Sequence, residues 1–255
     1  MIRASIRGVT SLVVAVRYLT IVRLPGRAPQ DAKALGRAAP WFPLVGLGIG
    51  VALAAVERVT SLLFPSLLSA LLTVTAWKLL TGGLHLDGLA DCLDGLAGRD
   101  AAHRLAIMRD SRIGAFGAIG LILFLLLEIA AVAELPPAVR WRALLAVPAI
   151  ARAVPAVLAR LFPAARAEGH GAAFQAGARA VAAPIALALA LVVAGGAAGS
   201  AGLLATAAAL VAALALAWFM ALRLSGVTGD VLGAAIEVAA LTALLTVSAW
   251  AHAGL

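Results

Sequence analysis

The chain is poor in the residues that build soluble domains and their sites. Its one cysteine, Cys92, excludes an internal disulfide framework and any metal site made of several thiolates. Charged residues are only 13% of the chain, against about a quarter in soluble proteins. Aromatic residues make up 5%, and no aromatic-studded basic face accompanies the net charge of +8, so nucleic acid is not an expected partner. Continuous Leu/Ala runs replace the period-two alternation that a membrane β-barrel needs. No internal repeat or inter-domain linker is visible. No small-x-small cleavage site follows the N-terminal apolar run, which Arg17 and Arg23 interrupt.

What the chain has is apolar bulk: 64% hydrophobic residues and a mean hydropathy of +1.06. Several windows reach the roughly 20 apolar residues that cross a hydrocarbon core. The expected fold class is therefore all-α, a polytopic transmembrane helical bundle forming a single domain over 1–255. About seven spans are expected, with six to eight in range: 41–64, 66–84, 115–134, 141–162, 181–194, 203–222 and 231–251. Glycines 46, 48 and 50 in the first span suit close helix approach. Residues 1–40 form a basic segment expected at the membrane interface, its apolar part 9–24 lying in or near the headgroups, with a short span as the alternative. With the N-terminus cytoplasmic, fifteen basic residues fall on inner segments and three on the opposite side. That asymmetry predicts an inner-membrane protein whose polar segments 85–113, 163–180 and 223–230 all face the cytoplasm.

The densest polar stretch, Thr81 to Gly117, holds five of the twelve acidic residues. Asp87, Asp91 and Asp94 are spaced i, i+4, i+7 and fall within about 60° of one helix face. Like charges at that spacing repel, so the pattern predicts a divalent cation between them, and oxygen donors that leave room for substrate phosphates suit Mg²⁺ better than Zn²⁺. His85 stands off that face and has three open roles: ligand, general base or entry-turn residue. Arg109, Asp110, Ser111 and Arg112, followed by Gly114 and Gly117, open the third expected span, where helix N–H groups and arginines attract phosphate. Arg166 and His170 lie in a second polar loop, and Thr228 and Asp230 at the start of the last span, where capping alone also accounts for Thr228. Glu128, Glu237 and Arg152 sit at depth inside spans, where ionisable groups face a partner or a cavity.

The segments TIVRLP, WFPLVGLGIG, TGGLHLDGLADCLDGLAG, IMRDSRIGAFG, RAEGHGAAF and GVTGDVLGAAIE together resemble, in order and over nearly the whole length, the cobalamin synthase (adenosylcobinamide-GDP ribazoletransferase) family. The resemblance implies a multi-pass enzyme that joins adenosylcobinamide-GDP to α-ribazole, or its 5′-phosphate, with release of GMP, and that requires Mg²⁺. Cys92-Leu93 departs from the small or polar residues expected between the aspartates. In that reaction Asp87, Asp91 and Asp94 supply the metal site, and a carboxylate (Asp94) or His85 takes the hydroxyl proton. Arg109, Asp110, Ser111, Arg112, Gly114, Gly117, Arg166, His170, Thr228 and Asp230 form the substrate and phosphate surface. Membrane lipids, a second copy of the chain and other cobalamin-assembly enzymes are the further partners the reading allows. Two other classes compete. The Asp spacing also resembles membrane CDP-alcohol phosphotransferases, whose longer signature is absent here. A cation-coupled transporter would use Glu128, Glu237 and Arg152 as a relay.

Overall fold

A computed structural model of the chain describes residues 2–25, 31 and 33–254, with side chains from residue 10 onward. Arg27, and the side chains of Arg3 and Arg7, which the basic-segment expectation includes, lie outside the described residues. Among the described residues the structure is helical throughout, with one isolated bridge between Ala164 and Val227.

Helix α1 (Ile2–Leu19) has an apolar part, Thr10–Leu19, too short to cross a bilayer. After α2 (Ala34–Ala38) and a 3₁₀ turn (Ala39–Trp41), α3 (Phe42–Leu63) is followed, past a break at Pro65, by α4 (Ser66–Leu80). Helix α5 (Leu84–Gly95) follows at 91° to α4, and the short α6 (Ala101–Ile107) leads to α7 (Ala115–Glu134). Then come α8 (Pro137–Leu161), α9 (His170–Gly177), α10 (Ala182–Leu224) and α11 (Gly229–His252). The core is small: Ala186, Ala190, Ala205, Ala209, Ala213 and Ala217 of α10 are all buried at four-residue spacing, which brings helices together without bulk. Gly46 and Gly50 serve the same end. A Cβ on either would lie 2.4–2.6 Å from backbone oxygens of α8, whereas Gly48 faces open space.

Among the described residues, five helices are long and apolar enough to cross a membrane, or six if the bent α4–α5 pair counts as one. The expectation of seven treats the two halves of α10 as separate spans. A straight helix of 43 residues would run about 64 Å, twice the hydrocarbon thickness. It is not straight: Gly199 has φ 59° and ψ −138°, and a Cβ on Gly202 would lie 2.2 Å from the Ala194 carbonyl oxygen. Residues eight apart in a continuous helix stand about 12 Å apart, so the two arms fold back on one another. The expected span 66–84 also ends early. Leu80 closes α4, and Gly82 and Gly83, with φ of 64° and 68°, turn the chain into α5. With α4 crossing, α5 runs across its end rather than continuing inward.

Candidate active site

The elbow at Gly82–Gly83 puts the acidic face of α5 on the wall of a cavity. Asp87 and Asp91 line this space of about 640 Å³ together with Arg109, Asp110, Ser111 and Arg112. The two halves of the polar stretch, 22 residues apart in sequence between Asp87 and Arg109, thus meet across one cavity, carboxylates on one side and guanidinium groups on the other. Burial pushes the Asp91 carboxyl up to about 7, and the neighbouring charges of Asp87, Asp230 and Asp94 add to the rise, against a smaller pull from Arg166. The structure thus keeps close together the like charges that the sequence spacing implies.

Asp94 is placed differently from the expectation. Its Oδ2 accepts from the Gly114 N–H at 2.8 Å and its Oδ1 from the Gly117 N–H at 2.8 Å, so the carboxylate caps α7 and does not line the cavity. Gly114 and Gly117 are accordingly packing residues for Asp94. A Cβ on either would lie 2.4 Å from a carboxylate oxygen. The anion attracted to this helix N-terminus comes from the protein itself, which removes the expected use of its N–H groups for substrate phosphate.

Asp110 also has an internal partner. Arg112 donates to it from Nε at 3.0 Å and from Nη2 at 2.6 Å, and its backbone N–H adds a third bond at 3.1 Å. These bonds hold the exposed Asp110 carboxyl down at about 2. Asp110 therefore aims Arg112 instead of touching an anion, as a carboxylate would repel phosphate.

The other expected residues assemble on a second, smaller cavity of about 160 Å³ lined by Arg166, Glu168, His170, Thr228 and Asp230. Its two loops are zipped together: Ala165 N–H donates to the Val227 carbonyl at 3.0 Å and Val227 N–H to the Pro163 carbonyl at 2.9 Å. Thr228 Oγ1 accepts from Val231 N–H at 3.2 Å, capping α11, and donates to Asp230 Oδ2 at 3.1 Å. Arg166 reaches across to α6, its Nη2 donating to the Leu105 carbonyl at 3.0 Å. Burial and the nearby Arg109 charge lower the Arg166 guanidinium. Gly88 of α5 packs so closely on the start of α11 that a Cβ would lie 2.7 Å from the Asp230 carbonyl oxygen, and the Asp230 charge is near enough to add to the rise of Asp91.

A family model, Cobalamin-5-phosphate synthase, matches residues 11–248. The chain belongs to this family. It is 38% identical to the adenosylcobinamide-GDP ribazoletransferase of Geotalea daltonii, over 92% of this chain and 96% of that protein. It is also 40% identical to the protein of the same name from Chlorobium chlorochromatii, over 92% and 94%. The one from Chlorobium phaeobacteroides is 38% identical, over 89% and 92%. No solved structure matches.

The structure places two further groups away from the large cavity. His85, expected as a catalytic residue, is 2% exposed and absent from the large cavity. It sits two residues before Asp87, which turns it about 200° around α5. It faces Gly233 of α11 instead, beside a water-sized space of about 20 Å³ shared with Tyr18, Phe42 and His170. The intramembrane acids Glu128 and Glu237 have Lys78 as their ion-pair partner, at 2.8 and 2.6 Å, with Arg152, which the sequence places at the same depth, acting on them only through its nearby charge. Arg152 lies 5.8 Å from the Trp77 ring, and its Nε and Nη2 have no hydrogen-bond partner among the described residues. Lys78, like Arg152, is a basic residue inside an expected span, so the sequence marks its depth but not its partners.

Among the described residues no three His, Cys, Asp or Glu side chains converge as a ready-made metal site. Mg²⁺ is ordinarily held by one or two carboxylates and completes its shell with water and substrate phosphate. Asp87 and Asp91 fit that pattern, as does the unbalanced negative charge that raises Asp91. Asp94 does not.

Proposed function

We propose that the chain is an adenosylcobinamide-GDP ribazoletransferase: it joins adenosylcobinamide-GDP to α-ribazole or α-ribazole 5′-phosphate and releases GMP. The observation that carries this reading is the single cavity where Asp87 and Asp91 oppose Arg109 and Arg112, in a chain of this family. A diphosphate donor needs its charge neutralised on both sides, and an attacking hydroxyl needs to stand in line with the leaving group.

Arg109 and Arg112 bind the diphosphate oxygens, Arg112 already aimed by Asp110. Asp87 and Asp91 would hold Mg²⁺, which would supply positive charge to neutralise and orient the diphosphate. Asp230 lines the smaller cavity, lies near enough to Asp91 for its charge to raise that carboxyl, and has Thr228 as its side-chain hydrogen-bond donor. We assign it the hydroxyl proton in place of Asp94 and His85. The acceptor oxygen bonds to the phosphorus on the cobinamide side, the bond to the guanylate oxygen breaks, and GMP departs with the electron pair. We assign the acceptor to the smaller cavity, which Arg166, His170 and Thr228 line.

The fifteen-to-three distribution of basic residues supports a location in the inner membrane with the N-terminus and both cavities on the cytoplasmic side. Lipid surrounds the apolar outer faces of α7 and α10, where Ile122, Leu126, Val192 and Val211 are exposed. The test is turnover by the purified protein in liposomes, given GDP-activated cobinamide and α-ribazole, with Mg²⁺ or with a chelator. Corrinoid product and GMP in equal amounts, lost on chelation, are expected. Absence of product with Mg²⁺ present overturns the activity, and undiminished product with chelator overturns the metal.

A further inference from the structure

The segment carrying Arg109 and Arg112 is tied at both ends to neighbouring residues of α5. At its start, Met108 is buried against Gly95, where a Cβ would lie 2.8 Å from the Met108 Cγ. At its end, the Gly114 and Gly117 N–H groups donate to the two oxygens of Asp94, each at 2.8 Å. Asp94 and Gly95 sit one turn beyond Asp91 on the same helix. The gap between the carboxylate wall and the arginine wall is therefore set by these anchors. We propose that Asp94 is a positioning residue. By capping α7 it fixes the Arg109–Arg112 segment over Asp87 and Asp91, and it neither holds the cation nor carries the proton.

Three observations support this assignment. A carboxylate that accepts two backbone N–H groups at a helix N-terminus has both charge-assisted bonds and the helix dipole in its favour. Both oxygens are directed to α7, and Asp94 is not among the residues lining the cavity. Gly114 and Gly117 leave no room for a side chain beside those oxygens, so the contact is built from both sides. Substitution by Asn keeps the shape but places an NH₂ donor against an N–H donor. The expected result is a displaced loop in a folded protein, and displacements of about 1 Å at a reacting site are enough for large kinetic effects.

The kinetic part of the test rests on the transferase reading above; the metal-binding part does not. Asp94→Asn and Gly117→Ala are purified beside the wild type. In both, KM for the GDP-linked donor is expected to rise about tenfold or more, and the shape of the kcat–pH profile to persist. Mn²⁺ affinity, read by electron paramagnetic resonance without substrate, is expected to stay within about twofold in both. Gly117→Ala removes no ligand and no base, so its agreement with Asp94→Asn is what a positioning role demands. A tenfold loss of Mn²⁺ affinity in Asp94→Asn makes Asp94 a ligand and overturns the proposal. Loss of one limb of the pH profile in that variant makes it the proton carrier and also overturns it, as does an unchanged donor KM in Gly117→Ala. Should Asp94→Asn fail to fold, Gly117→Ala decides through donor KM. A wild type that turns over nothing counts against the transferase reading, and Mn²⁺ affinity then decides the role of Asp94.

Discussion

Two groups of carboxylates lie on either side of the Gly82–Gly83 elbow, and they are treated in opposite ways. Below it, Glu128 of α7 and Glu237 of α11 share Lys78 of α4 at 2.8 and 2.6 Å, with Trp77 and Phe124 rings around the ammonium at 4.7 and 5.6 Å. Above it, Asp87 and Asp91 line an open cavity, and the ion pairs among the described residues include neither of them. Buried charge that is paired holds three helices in register. Charge left unpaired at the mouth of a cavity has a raised proton affinity and a place for a cation. The same residue type is thus a fastener in one region and a binding group in the other, and the difference is whether the chain supplies the counter-charge itself.

The largest effect that would break this contrast comes from removing the fastener. Lys78→Met leaves two buried carboxylates without their cation. Deleting one member of a buried pair costs about 3–5 kcal/mol, so thermal unfolding in detergent should fall sharply, with recovery when Glu128→Gln and Glu237→Gln accompany it. A Lys78→Met protein that melts with the wild type would show that the network does not hold the helices. Asp87→Asn and Asp91→Asn should do the reverse: unfolding unchanged, turnover down by at least about 100-fold. Activity surviving in both sinks the proposed metal site, while a lower melting temperature would place these aspartates among the structural charges.

The same contrast explains which parts of the molecule are legible from its sequence. The α5 face is local: spacing alone puts Asp87 and Asp91 together, and composition alone puts 85–113 outside the hydrocarbon. Helical angle likewise separates His85 from them. The fate of Asp94 is not local. It depends on where α7 begins to pack on α5, and spacing places Asp94 on the same face as Asp91 until that contact is known. The pairing of Lys78 with two acids 50 and 159 residues away is also set only by packing. Arg152 and Lys78 carry the same signal of depth, and nothing in the sequence chooses between them. The break at Gly199 is legible: the glycine-rich GGAAGSAG marks it in the sequence, and Gly199 leaves helical geometry there so that the two arms of α10 fold back on one another.

The smallest predicted effect tests how nearly free the upper carboxylates are. With the Asp91 carboxyl at about 7, the site retains a proton at mildly acidic pH that a cation must displace. The sign is fixed by the direction of the shift. A carboxyl raised from its ordinary value to about 7 is mostly protonated at pH 6 and mostly ionised at pH 8, so metal affinity rises across that interval and levels off above it. For one displaced proton the half-saturating Mg²⁺ concentration should fall about tenfold between pH 6 and pH 8. An ordinary carboxylate would give a flat response there. Asp230→Asn removes one of the charges that raise Asp91, so its Mn²⁺ titration, followed without substrate, should become flatter over the same interval. If the wild-type response is already flat, the upper carboxylates are compensated after all, and the distinction from the Lys78 network disappears.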